Sequence, residues 1–133
     1  MFIAILTQPK VSNTLLIGCV AGILAAMTTG FPGGQIPNII DKLVTAFFVL
    51  GVIRLLGTHV NVFTITCLGF IGTIFSGVVF LSSALLMVGL SVPFTALLIA
   101  VVLPAALANS ITSAVFFKTY HIIVKPYLKK IPA

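Results

Sequence analysis

The sequence predicts an all-α, polytopic membrane helix bundle. Three observations lead there. Of 133 residues, 60% are hydrophobic and only 6% are charged, with a mean hydropathy of +1.33. A soluble domain carries roughly 25% charged residues, so these side chains must face mainly lipid. The apolar residues form runs of span length, broken by Gly/Pro turns. The cations stand at the edges of those runs, so a net charge of +6 reads as membrane orientation and not as nucleic-acid binding. The expected architecture is one membrane domain over 1–133, with four full transmembrane helices and an amino-terminal half-helix.

The half-helix, 1–7, would span only ~10 Å against a ~30 Å hydrocarbon core. It either lies at the interface or is one half of a longer helix, and we favour the second. It is too short an apolar block for a secretory signal. Gln8-Pro9-Lys10 makes a turn, and a span follows over 12–29, with Ser12 or Asn13 as its cap. Gly18 and Gly22 give that span a GxxxG face for close approach of a neighbour.

Pro32-Gly33-Gly34 is a turn, and the third span covers 37–56. Pro37 suits a first helical turn. Asn38 is placed to cap it, with Asp41 as reciprocal partner. The fourth and fifth spans, 61–88 and 93–117, divide at Gly89-Leu90-Ser91-Val92-Pro93. Pro104 removes a hydrogen bond from the fifth span and is expected to kink it. The basic tail, 118–133, reads as a membrane-surface end. Lys10, Arg54 and the tail fall on alternate connections, which places them and the C-terminus in the cytoplasm.

Chemistry is sparse. One acidic residue, Asp41, cannot supply a carboxylate pair. Gly33-Gly34 lacks the Lys-Ser/Thr of a phosphate cradle. His59, His121, Cys19 and Cys67 have no metal-ligand spacing. The expectation is no enzyme, no catalytic or metal-ligating residue, no cofactor and no nucleic-acid partner; the cysteines pack as small hydrophobes. Polar groups beside lipid are costly, so the candidates for function are few.

Asp41 reads either as a helix cap in the headgroup region or as a group that attracts a ligand ammonium or a coupling cation. Lys42 reads first as a snorkelling anchor; adjacent helical residues point ~100° apart, so the two should not face one pocket squarely. Gln35 and Asn38 either satisfy the loop backbone or meet a solute. Asn109, deep in the last span, makes an interhelical contact or a substrate contact beside a broken helix. Phe31 is placed to cover an aromatic solute. The candidate binding residues are Gln35, Asn38, Asp41 and Asn109.

Phe31-Pro-Gly-Gly-Gln-Ile-Pro-Asn-Ile-Ile-Asp-Lys42, Gly72-Thr-Ile-Phe-Ser-Gly77 with Ser82-Ser-Ala-Leu-Leu86, and Val102-Leu-Pro-Ala-Ala106 with Asn109 resemble the bacterial tryptophan transport protein (TrpP) family. The likeness runs from Met1 over essentially the whole chain, and its first block is the most specific. It implies uptake of tryptophan across the plasma membrane. It also implies similarity to substrate-binding subunits of energy-coupling-factor transporters, a six-helix fold with both ends cytoplasmic. Partners would then be the bilayer, tryptophan, and energy-coupling transmembrane and ATPase subunits. Against that pattern Met1–Leu6 looks like the end of a second helix, so the chain reads as an amino-terminally truncated remnant. Two alternatives stand beside this reading: a binding subunit for another small aromatic or vitamin-like solute, and a non-transporting membrane scaffold.

Overall fold

In a computed structural model the chain is described over residues 1–57 and 60–124, and these form helices joined by short turns, with no strand. His59 and the tail from Lys125 onward lie outside the described residues. Among the described residues, three helices have the length and apolarity to cross a membrane: Val11–Thr28, Val62–Met87 and the continuous Phe94–Ile123.

Helix α1 (Phe2–Thr7) has six residues. It is not laid on the bundle surface, since Ile5 is fully buried and the Phe2 ring lies against Gly72. Helix α2 (Val11–Thr28) starts without a side-chain cap. The Asn13 amide, expected at that cap, instead donates to Gln8 Oε1 at 2.8 Å. The Gly18/Gly22 face meets helix α3 (Gln35–Leu56) antiparallel. A Cβ on Gly18 would stand 3.1 Å from the Ala46 Cβ, and one on Gly22 3.1 Å from the Ile39 Cα. A side chain at either position would force its neighbour to give by a few tenths of an ångström, so the small face favours this close approach.

Helix α3 is the central element, packed against α2 on one side and α4 (Val62–Met87) on the other. It begins at Gln35, two residues before Pro37, with Gly34 as its cap residue. Asn38 is therefore inside the helix, where its amide donates back to the Gly34 carbonyl at 2.8 Å. Asp41 stands beyond the first turn, so the capping role expected of this pair is not realised. The helix stops at Gly57, whose φ of 54° few other residues tolerate. Helix α4 is capped by Asn61, which accepts from the Thr64 N–H at 2.8 Å.

After the Gly89 turn the chain runs as α5 (Phe94–Leu97), a π-helical segment Leu98–Val102, α6 (Leu103–Thr119) and a second π segment Tyr120–Val124. The first π segment sits immediately before Pro104. The disturbance expected from that proline thus appears as a local change of hydrogen-bond register. Residues 118–124, read from sequence as part of a surface tail, continue the helix.

The antiparallel order brings Lys10, Arg54 and Lys118 to one end of the bundle and the two uncharged turns to the other. Phe31 and Pro32 of the first turn share a small cavity with Val88 and Gly89 of the second. At the cationic end Ile5, Val49, Leu50, Ile53, Ile65, Leu68 and Phe117 form a buried apolar cluster with Ala46.

Candidate functional site

The uncharged end is built differently. Between α3, α4 and the π-to-α6 helix lies an open cavity of about 540 Å³. Pockets for small ligands commonly measure about 300–1,000 Å³. Helix α3 contributes Asn38, Asp41 and Lys42; α4 contributes Thr73, Ser76, Gly77 and Phe80; the last helix contributes Val101, Val102, Ala105 and Asn109. The turn Thr29–Pro32 closes one side. The spacings explain the placement. Thr73, Ser76, Gly77 and Phe80 recur at three- and four-residue intervals, as do Val101, Ala105 and Asn109, so each set lies on one helix face.

The charged centre of this wall is a buried ion pair. Asp41 is fully buried. Its Oδ2 accepts from Lys42 Nζ, and its Oδ1 accepts from the Thr45 hydroxyl at 2.9 Å, one helical turn on. Lys42 Nζ donates also to Ser76 Oγ on α4, at 3.1 Å. The Lys42 side chain keeps 26% of its surface, against 1% for Asp41, so the ammonium overlies the carboxylate on the cavity side. Among the described residues, Asp41 and Lys42 are the only charged residues lining the cavity.

Two further features shape it. Asn109 Nδ2 donates to Thr73 Oγ1 at 3.0 Å, and Thr73 Oγ1 donates to the Gly69 carbonyl at 2.7 Å, tying the last helix to α4. Phe31 from the turn meets Phe80 edge-on, with ring centroids 5.5 Å apart. The wall thus offers an aromatic edge together with paired charges and amides. That combination suits a small amphipathic molecule with no net charge.

Of the four residues singled out in the sequence, the fold brings Asn38, Asp41 and Asn109 to this one cavity. Gln35 stays outside it, exposed at the first position of α3. Asn109 is exposed, and its amide makes the interhelical contact, to Thr73, that was one of its two expected roles. Lys42 departs from expectation. Its long stem curls back over Asp41, so both face the same space despite the ~100° between their backbone positions. Thr73, Ser76 and Phe80 were not singled out as binding residues, because their stretch, with Gly69, Gly72 and Gly77, has the small residues of a tight helix-packing face. Their helical spacing from Thr73 to Phe80 was the available signal.

Comparison with known proteins points the same way. The profile of the family described as "Tryptophan transporter TrpP" matches residues 1–126. A "Probable tryptophan transport protein" of Bacillus subtilis (strain 168) is 50% identical over 125 residues, covering 94% of this chain and 73% of the relative. Proteins of the same description from Clostridium acetobutylicum and Clostridium perfringens are 46% and 34% identical. Those alignments cover 88% and 89% of this chain, and 69% and 70% of the relatives. No solved structure matches the chain significantly. With apolar helices of membrane-crossing length and a family match over nearly its whole extent, this multi-pass membrane chain belongs to the tryptophan transporter TrpP family.

Proposed function

We propose that this chain binds tryptophan at the uncharged end of the bundle and passes it inward across the plasma membrane. One observation carries the reading: a cavity of about 540 Å³ is lined by both the Phe31–Phe80 edge and the Asp41–Lys42 pair, in a chain whose relatives are described as probable tryptophan transport proteins. The indole packs on the aromatic and aliphatic wall, and Asn38, Asp41 and Asn109 receive the polar end.

The reading sets α3 across the membrane as a fourth span, since 22 residues make a helix of about 33 Å. It draws the whole from a six-helix fold with a cytoplasmic C-terminus. The clustering of Lys10, Arg54 and Lys118 at one end supports that orientation. The resemblance to binding subunits of energy-coupling-factor transporters suggests energy-coupling transmembrane and ATPase subunits as the source of drive, with an ion gradient as the alternative.

The test is uptake of labelled tryptophan in cells deleted for this protein. The full chain is expected to restore uptake, and Asp41→Asn at matched expression to abolish it. Uptake that is unchanged by deletion, together with no saturable tryptophan binding to the purified protein, would remove the proposal.

A further inference from the structure

Asp41 and Lys42 have a consequence for ligand selection, which rests on the proposed function above. We propose that the Asp41–Lys42 ion pair opens to receive a zwitterion, Lys42 taking the ligand carboxylate and Asp41 the ligand ammonium, so that the site selects amino acids over singly charged analogues of the same shape.

The geometry favours opening. Each partner has a second hold that survives when the pair parts: Thr45 Oγ1 on Asp41 Oδ1, and Ser76 Oγ on Lys42 Nζ. An ammonium has three donors, so Lys42 can keep Ser76 while turning to a carboxylate. The order of events follows from exposure. Asp41 keeps 1% of its side-chain surface and Lys42 26%, so an entering ligand meets the ammonium first and uncovers the carboxylate by drawing it aside.

Charge balance supplies the selectivity. The closed pair is neutral, and so is a zwitterion; their exchange turns one internal ion pair into two, and no charge is left over. An amine without a carboxylate would occupy Asp41 and strand Lys42. A carboxylate without an amine would strand Asp41. A stranded charge is heavily penalised in an environment poor in water, and among the described residues no other charged side chain lines the cavity to compensate. The rejection of wrong ligands is thus built from an unpaired charge.

The chain contains no Trp residue, so the fluorescence of an indole ligand reports its own binding to the purified full chain in detergent. Tryptophan, tryptamine and indole-3-propionate are compared. Tryptophan is expected to bind at least about tenfold tighter than either analogue. Tryptophan binding with either analogue within about threefold overturns the inference and leaves the proposed function standing. No saturable tryptophan binding overturns the proposed function, and the inference with it. Charge-deletion variants sharpen the result: Lys42→Gln is expected to prefer tryptamine over tryptophan, and Asp41→Asn to prefer indole-3-propionate. Folded variants that keep the wild-type order of preference overturn the inference.

Discussion

The two ends of this bundle are made from the same helices but obey different rules. Below Thr45, α3 presents Ala46, Val49, Leu50 and Ile53 to Ile65 and Leu68 of α4 and to Ile5 of α1, all buried. Above it, the same helix presents Asn38, Asp41 and Lys42 to a cavity shared with α4 and the last helix. Lipid is as apolar as leucine, so the closed end gains from close packing and not from escape from water. The open end forgoes that packing for polar groups that must find one another. One end holds the helices in register, and the other is left free to hold a solute.

The largest effect is expected at the closed end. Ile65 is fully buried, and Ile65→Ala should cost about 2–5 kcal/mol, as large-to-small core changes do. The thermal midpoint in detergent should fall, while the tryptophan affinity of the remaining folded protein stays within about twofold. If affinity falls in step with stability, the two ends are not separable. Next comes Gly22→Val, which drives a branched side chain toward the Ile39 backbone and should cost about 1–3 kcal/mol. Gly22 stands nearer the cavity, since its Cβ position is 3.6 Å from the Lys42 Cβ. This variant should therefore lower both stability and tryptophan affinity, which Ile65→Ala should not.

The closed end was the more legible in the sequence. Apolar runs, Gly/Pro turns and the GxxxG face depend on composition and spacing, and the helices, both uncharged turns and the α2–α3 approach follow them. The importance of Asp41 was legible because a lone acid in such a chain stands out. Its surroundings were not. Reading Asp41 as a cap required α3 to begin at Pro37, whereas it begins at Gln35. Separating Asp41 from Lys42 by ~100° ignored the reach of a four-carbon stem. Ser76 and Thr73 were hidden among glycines, because a hydroxyl on a small-residue face looks the same whether it packs or binds. Pro104 marked a disturbance in the last span, but residue types do not say whether such a helix kinks or changes its hydrogen-bond register, as the π segment before the proline does.

A third variant tests the open end by itself. Asn109→Leu removes the amide that donates to Thr73, but Thr73 keeps its bond to the Gly69 carbonyl. No buried group is left without a partner, so the cost should be only about 0.5–1.5 kcal/mol. Uptake should nonetheless drop severalfold at equal expression, because a polar contact at the cavity is lost. A large fall in thermal midpoint with normal uptake would make Asn109 a helix tie and not a solute contact.

The smallest effect concerns a flaw in the closed end. Thr14 lies on α2 one turn before Gly18, on the face that packs against α3. It is fully buried, and its hydroxyl oxygen has no hydrogen-bond partner among the described residues. A threonine in a helix commonly turns its hydroxyl to the carbonyl four residues back. Here the Lys10 carbonyl accepts the Thr14 N–H at 2.9 Å and not the hydroxyl. A buried hydroxyl without a partner carries a desolvation cost of about 1–3 kcal/mol, and valine has nearly the same shape without it. The gain is reduced because the disordered chain in a membrane also finds partners for its polar groups. Thr14→Val should therefore raise stability by up to about 1 kcal/mol, read as a higher thermal midpoint in detergent, with uptake unchanged. A fall of that size instead would mean that Thr14 holds a polar contact, and that the line between a dry end and a polar end runs lower than Thr45.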